Sequence, residues 1–322
     1  MQTLRHGFQQ LIAIVLKLLL AVAALVGCAD LRSTRGNADN LDIYELGMLP
    51  KLSEFRQLGK RPDEPFVMIN LLKFKQQASG QDFEDLSGEQ AYRLYLKGMT
   101  RAQSDIGSRL IWAGRIQQQF IGNSEPTFEI VALLEYASPA TFRQFARKPG
   151  DSGKARTAGL LGQWLLASTT VEEDKSVDAS IGTDSNPSQP PGNTGLSSSE
   201  VSRLQQGGAN DALFIVELLG FSDGSGKRYQ AYQQALSAAI SAVGGHRLWV
   251  GRIDSQVIGS ASPSFDQLAV TRYPNRKAYL AALSDPTVAA QLGSRREGLA
   301  LHWAYSASET ELGSFIPAEK TH

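Results

Sequence analysis

Apolar and polar residues follow a regular order in the last third of the chain. Apolar, β-branched and aromatic residues from Ala212 to Phe221 predict a strand. Apolar residues spaced three and four apart from Lys227 to Val243 predict a helix, which Gly244 and Gly245 would end. The pattern then predicts a strand, a strand, a helix and a strand, over residues 246–258, 265–273, 274–284 and 301–307, with a turn near 287–292. The order is βαββαβ.

The same order occurs earlier in the chain, and the four tryptophans reveal it. Trp112 and Trp249 lie 137 residues apart, and Trp164 and Trp303 lie 139 apart. The surrounding sequences LIWAGRI and RLWVGRI also match. Further pairs at the first spacing are Tyr92 and Tyr229, Tyr95 and Tyr232, Gly122 and Gly259, Phe128 and Phe265, and Pro149 and Pro286. These coincidences indicate an internal duplication, whose halves we call copy one and copy two.

The predicted fold is α+β, with two tandem ferredoxin-like (βαββαβ) domains. Each would have a four-stranded antiparallel sheet with helices on one face. The first strands, FVMINLLKF and LFIVELLGF, are apolar on both faces, with Asn70 and Glu217 as the polar interruptions. We assign Val67, Ile69, Leu71 and their counterparts Phe214, Val216 and Leu218 to the helix side. The face carrying Asn70 and Glu217 would then be open, so we expect the two sheets to pair as an intrachain pseudo-dimeric α/β barrel.

The domain boundaries follow from composition. Copy one is assigned to residues 44–170 and copy two to residues 197–311. The connecting residues 171–196 are rich in Ser, Pro and Gly, which is typical of a flexible linker. A lipidated tether is expected over residues 28–43 and a C-terminal tail over 312–322. Residues 51–58 predict a short helix before copy one, as residues 198–206 do before copy two.

The N-terminal residues 1–27 have the pattern of an export signal. A short basic start precedes an apolar run that ends in Leu25-Val26-Gly27-Cys28. This ending resembles the bacterial lipobox, which implies that Cys28 is lipidated and becomes the mature N-terminus. The resemblance implies a lipid-anchored protein of the cell envelope. Ala29 favours the outer membrane, facing the periplasm, over the inner membrane, while Asp30 leaves the choice open.

Composition narrows the chemistry. Cys28 is the only cysteine, so no internal disulfide or thiol nucleophile is expected. Lys and Arg balance Asp and Glu at 32 each without a basic block, which disfavours nucleic-acid binding. After signal removal, His246, His302 and His322 have no metal-ligand spacing. We therefore predict neither a metal nor a cofactor.

A family resemblance extends over both copies. The blocks VMINLLKF, Tyr92-x-x-Tyr95 and Trp112-Ala113-Gly114-Arg115 resemble the bacterial domain-of-unknown-function family numbered thirteen-thirty, and copy two resembles it less closely in its first strand. That family lies in the dimeric α/β-barrel superfamily. The resemblance implies the ferredoxin-like fold and the barrel pairing. It implies no particular activity, since the superfamily includes enzymes and binding proteins.

Five residues are candidates for ligand contact. Asn70 and Glu217 would either meet a ligand in the lumen between the sheets or be satisfied by Arg or Tyr across the interface. Arg115 and Arg252 each follow a strand glycine, and they would bind an anionic ligand or form ion pairs, for instance with Glu217 or Glu135. His246 shares a strand face with these arginines by period-two alternation and is the fifth candidate. The repeated tyrosines and tryptophans are expected to pack in the core.

Three functions remain open at this stage. The leading hypothesis is a lipid-anchored small-molecule-binding or interaction module, monomeric and without catalysis. The second is a cofactor-independent enzyme acting on a small organic substrate through Asn70 or Glu217, Arg115 or Arg252, and His246. The third is a purely structural pseudo-dimer whose lumen is filled by side chains. A lumen packed with Phe and Trp would favour the third.

Overall fold

A computed structural model describes residues 63–105, 108–124, 127–146, 152–171, 193–206, 212–259 and 263–310. Cys28, the signal, the tether, the predicted helix at 51–58, the C-terminal tail and nearly all of the linker lie outside these residues. No helix in the described ranges is long and apolar enough to cross a membrane.

Among its described residues, copy one has four strands and three α-helices in the predicted order, together with a short 3-10 helix at Gln81–Phe83. The strands are β1 (Phe66–Phe74), β2 (Arg109–Ile121), β3 (Ile130–Tyr136) and β4 (Leu160–Thr170). The helices are α1 (Gly88–Asp105) between β1 and β2, and α2 (Pro139–Ala146) and α3 (Ser152–Gly159) between β3 and β4.

Copy two repeats this plan after a preceding helix α4 (Ser198–Gln205). Its strands are β5 (Leu213–Phe221), β6 (His246–Ile258), β7 (Gln267–Tyr273) and β8 (Leu299–Glu309). Its helices are α5 (Gln230–Ala242), α6 (Arg276–Leu283), α7 (Pro286–Ala290) and α8 (Leu292–Gly298). The predicted turn near 287–292 is thus wrong, because α7 and α8 occupy this stretch. Asp285 caps α7 through the Thr287 N–H, and proline follows it at the first helical position.

The eight strands close one barrel in the order β1-β3-β2-β8-β5-β7-β6-β4. The sheets of the two copies join edge to edge through two antiparallel pairs, β2 with β8 and β4 with β6. These pairs are equivalent, because β2 corresponds to β6 and β4 to β8 in the duplication. The fold is therefore a pair of ferredoxin-like domains closed into an intrachain pseudo-dimeric α/β barrel, as the sequence predicts.

The barrel interior is packed with apolar side chains from both copies. Trp164 lies 5.4 Å from Trp303 between ring centroids, and Phe265 lies 4.8 Å from Trp303. Trp112 contacts Phe214 of the other copy at 5.4 Å. The side chains of Val67, Ile69, Leu71, Phe214, Val216 and Leu218 belong to the same buried cluster. The interior is therefore a hydrophobic core that joins the two copies.

This cluster corrects the predicted assignment of faces on the first strands. The Val67 and Phe214 sets face the barrel interior, and the opposite faces, which carry Asn70 and Glu217, lie under the helices. Both faces of β1 and β5 are apolar. The alternation of residues along each strand therefore shows which side chains share a face, but it does not show which face the helices cover.

The repeated glycines leave room for the repeated tryptophans. A Cβ atom at Gly114 or Gly251 would overlap the indole two residues earlier on the same strand, Trp112 or Trp249. Gly122, at φ 78°, lies against Trp303 of the other copy, and Gly259, at φ 126°, lies against Trp164. The Trp-x-Gly motif and the glycines that end β2 and β6 therefore encode the packing of the barrel.

Helix α4 connects the copies on the outside of the barrel. Leu204 packs in one buried cluster with Phe120 and Ile121 at the end of β2. Arg203 donates to the Phe120 carbonyl at 2.8 Å, and Arg276, itself 5% exposed, donates to the Leu204 carbonyl at 2.9 Å. The helix layer of copy two thus extends over a strand of copy one.

Candidate functional site

Three polar side chains form a continuous path between the sheet and the helices of copy two. Nε2 of His302 lies 3.1 Å from Oε1 of Glu217, and Nδ1 of His302 lies 3.3 Å from Nη2 of Arg295. Arg295 also donates from Nη1 to the Gly195 carbonyl at 3.1 Å. The Glu217 and His302 side chains are only 15% and 11% exposed. We call this set the copy-two polar path.

Strand register brings the first two groups together. His302 on β8 lies directly opposite Leu219 on β5, two residues beyond Glu217 on the same sheet face. Such diagonal neighbours on antiparallel strands are within reach of long side chains. Arg295 lies in α8, immediately before β8.

The hydrogen bonds define the tautomer of His302. A guanidinium can only donate, so Nδ1 of His302 accepts from Arg295. Nε2 then carries the proton and donates to the Glu217 carboxylate. The imidazole is neutral in this arrangement, and both of its nitrogens are engaged by partners within the chain. His302 therefore links the carboxylate to the guanidinium.

The Glu217 carboxyl is held in its charged form. Burial is the largest influence and would raise its pKa, but the hydrogen bond from His302 and the positive charges of Arg247 and Arg295 outweigh it. The net effect lowers the pKa below the usual 4.5. Its second oxygen, Oε2, accepts no hydrogen bond from the residues that the structure describes. A buried carboxylate with one unused oxygen can bind or deprotonate a ligand group.

Four buried tyrosines surround the copy-two polar path. The rings of Tyr229 and Tyr232 lie 5.3 Å apart, and those of Tyr273 and Tyr279 lie 5.0 Å apart. The Arg295 guanidinium lies over the Tyr232 ring, 5.7 Å from its centroid. Burial, together with the Glu217 charge, raises the pKa of all four phenols, that of Tyr232 to about 12. The phenols are therefore protonated at neutral pH and can donate hydrogen bonds.

Copy one has a corresponding path that keeps the arginine but lacks the carboxylate and the histidine. Asn70 takes the place of Glu217, Gln163 the place of His302, and Arg156 the place of Arg295. Arg156 donates to Oε1 of Gln163, whose Nε2 lies 3.4 Å from Oδ1 of Asn70. We call this set the copy-one polar path.

The other predicted site residues lie apart from these paths. Arg115 pairs with Glu89 on α1 at 2.6 Å, and Arg252, 57% exposed, pairs with Asp254 at 2.8 Å. His246 is exposed at the start of β6, and its pKa is lowered by partial burial and by the charge of Arg272. Glu135, one of the expected partners for these arginines, pairs with Arg109 at 3.1 Å.

His302 and Arg295 are not among the site residues predicted from the sequence. His302 immediately precedes Trp303, and the spacing of 139 that relates Trp303 to Trp164 also places His302 opposite Gln163 and Arg295 opposite Arg156. Following that spacing along the whole strand and the helix before it would have identified both residues.

No group of three or more His, Cys, Asp or Glu side chains in the described ranges could hold a metal ion.

No family model matches the chain, and no curated protein matches it.

Several solved structures resemble this chain. A protein of unknown function from Rhodopseudomonas palustris is 23% identical over 39% of this chain and 98% of its own, with a TM-score of 0.36. A chlorite dismutase variant from Candidatus Nitrospira defluvii is 11% identical over 81% of this chain and 96% of its own, with a TM-score of 0.42. A candidate monooxygenase from Lactobacillus acidophilus is 8% identical over 76% and 94%, with a TM-score of 0.39. These likenesses concern the fold alone, and the closed strand order of this chain is what defines it as a dimeric α/β barrel within one polypeptide.

Proposed function

We propose that the protein is a lipid-anchored envelope protein in which copy two binds a small organic molecule between its sheet and its helices. The observation that carries this proposal is the buried, charged path Glu217–His302–Arg295 among four tyrosines. The ligand would have a hydrogen-bond donor for Oε2 of Glu217 and an apolar or aromatic part for the tyrosine rings.

The comparison between copies supports a role beyond folding. Removing a carboxylate and a guanidinium from water is costly, and uncharged replacements of similar size are often as stable or more so. Copy one builds the same sheet and the same connection with Asn70 and Gln163, which are uncharged. The fold therefore does not require a buried carboxylate at this position, and this favours ligand binding between the sheet and helices of copy two. The barrel interior, which is packed with Trp and Phe side chains, favours the purely structural interpretation for the lumen itself.

Native mass spectrometry of the full chain, extracted in detergent from its source, tests the binding. We expect a small molecule to remain bound to the wild type and to be lost from Glu217→Gln and His302→Gln. Arg252→Ala, a charge deletion on the exposed face of β6, should retain it and serves as the control. Equal occupancy in all four proteins, or none in the wild type, would contradict the proposal.

Catalysis without a cofactor is the second candidate, and the unused Oε2 of Glu217 favours it. An ionised carboxylate away from water can take a proton from a bound carbon or oxygen acid. Incubating the captured molecule with the protein in deuterated water tests this possibility. Deuterium incorporation that depends on Glu217 would establish proton abstraction, and its absence would leave binding alone.

The lipid anchor is proposed from Cys28 and the preceding apolar run. With labelled palmitate, the wild type should take up the label and fractionate with the outer membrane, and Cys28→Ser should do neither. Ala29→Ser is the matched control and should behave as the wild type. Unchanged fractionation of Cys28→Ser would refute the anchor.

Membership of the family numbered thirteen-thirty is likewise a proposal, supported by the matching blocks of both copies.

A further inference from the structure

The copy-one polar path ends on the backbone, without an acidic group. Arg156 on α3 donates to Gln163, which is only 5% exposed, and Gln163 points its amide nitrogen at Asn70. Asn70 donates in turn to the carbonyl of Met68 at 3.2 Å. Each bond runs in the same direction, so the path carries the charge of one guanidinium and no counter-charge.

Three carboxylates among the described residues of copy one pair with other cations. Glu89 pairs with Arg93 and Arg115, Glu129 with Lys73, and Glu135 with Arg109. In the part of the chain that the structure describes, Arg156 has Gln163 as its hydrogen-bond partner and no carboxylate. Copy two supplies that carboxylate through Glu217, so its path is neutral overall.

Aromatic rings flank the copy-one polar path. Tyr92 and Tyr95 lie 5.3 Å apart, and the pKa of both phenols is raised by burial, with Arg156 acting in the opposite direction. The phenols are therefore protonated, and they can donate hydrogen bonds beside a positive charge. Poor hydration strengthens the attraction between a guanidinium and an anion.

We infer that copy one contains a second site, in which Arg156 binds the carboxylate of a small organic acid. The planar guanidinium presents paired donors that match the two oxygens of a carboxylate. The tyrosine rings suit an acid with an apolar or aromatic body. This site is independent of the one proposed in copy two, because it uses a different arginine, which has no counter-charge in its path.

Titration calorimetry of the full chain with benzoate tests the inference, with benzamide as the uncharged probe of the same shape. We expect the wild type to bind one benzoate and to bind benzamide much more weakly. Arg156→Gln should weaken benzoate binding roughly tenfold to hundredfold, as expected for loss of a charge-assisted contact. Asn70→Glu should weaken it by a similar factor, because it places in copy one the internal counter-charge that copy two has.

A gain of binding provides the reciprocal test. Glu217→Asn should free Arg295 and raise the number of bound benzoates from one to two. If Arg156→Gln does not fold, Asn70→Glu and Glu217→Asn still test the inference. Each of them introduces the residue that the other copy has at the equivalent position, so each is expected to fold. Equal affinity for benzoate and benzamide, or wild-type benzoate binding in folded Asn70→Glu, would overturn the inference. Loss of the captured molecule in Glu217→Gln tests the copy-two site separately.

Discussion

Copy one and copy two share one barrel and differ in one buried path. The four tryptophans and the glycines beside them match between the copies and pack in the barrel interior, whereas the matching tyrosines lie between the sheets and the helices. The residues that differ, Asn70 against Glu217 and Gln163 against His302, lie between the sheets and the helices. The duplication has thus kept the tryptophans and glycines of the barrel interior and has changed the charge of one polar path outside it.

The largest expected loss in the free energy of unfolding comes from a substitution in the barrel interior, which the two copies share. Trp164 contacts Phe128 of its own copy and Phe265 and Trp303 of the other. Trp164→Ala should lower the free energy of unfolding by about 3–5 kcal/mol, because it removes a buried indole and leaves a cavity. Urea unfolding measures this, and Leu94→Ala, at an exposed position, is the control. A loss below about 1 kcal/mol would mean that the copies do not share a core.

Substitution of the strand glycines Gly114 and Gly251 should give the next largest loss in the free energy of unfolding. Gly114→Ala and Gly251→Ala place a methyl group against the adjacent indole, so each should cost about 1–3 kcal/mol through overpacking. Gly293→Ala is the control, because nothing lies within 4 Å of a Cβ there and alanine favours the helix. Thermal unfolding that ranks Gly293→Ala as the most damaging of the three would contradict the packing described.

The charged path should make stability depend on acid pH. The folded-state pKa of Glu217 lies below its ordinary value of 4.5, so its contribution is present above that value. It is lost as the pH falls through the folded-state pKa. At pH 7 we expect Glu217→Gln to cost about 1–3 kcal/mol, by removing a charged partner of a buried group.

The difference between the wild type and Glu217→Gln should shrink as the pH falls below 4.5 and through the lower folded-state pKa of Glu217. Denaturant unfolding at several pH values measures it. Glu135→Gln, at a partly exposed ion pair, is the control and should show a much smaller difference. A pH-independent cost for Glu217→Gln would contradict the assigned charge.

The smallest effect is expected at Arg252. Its ion pair with Asp254 is more than half exposed on the arginine side, so Arg252→Ala should change the free energy of unfolding by only about 0–1 kcal/mol. Unfolding in urea measures this, with Arg252→Lys as the matched variant that keeps the charge. A larger loss would indicate that this arginine has a further role.

The sequence predicted the architecture well, because the duplication supplied two examples of each element. Strand β6 begins and ends at the predicted residues, and the barrel pairing was inferred from the apolar faces of the first strands. The assignment of those faces was inverted, since both sides of β1 and β5 are apolar. The partner of Glu217 was also missed, because it lies 85 residues away on β8 and only the strand register brings it near.

The location of a bound molecule tests the central claim most directly. A crystal structure of the full chain, purified with the small molecule it retains, should show that molecule between β5, β8 and the helices of copy two, beside Glu217 and the tyrosine rings. The barrel interior around Trp164 and Trp303 should contain only side chains. Density for the molecule inside the barrel, with the copy-two polar path unoccupied, would contradict the account.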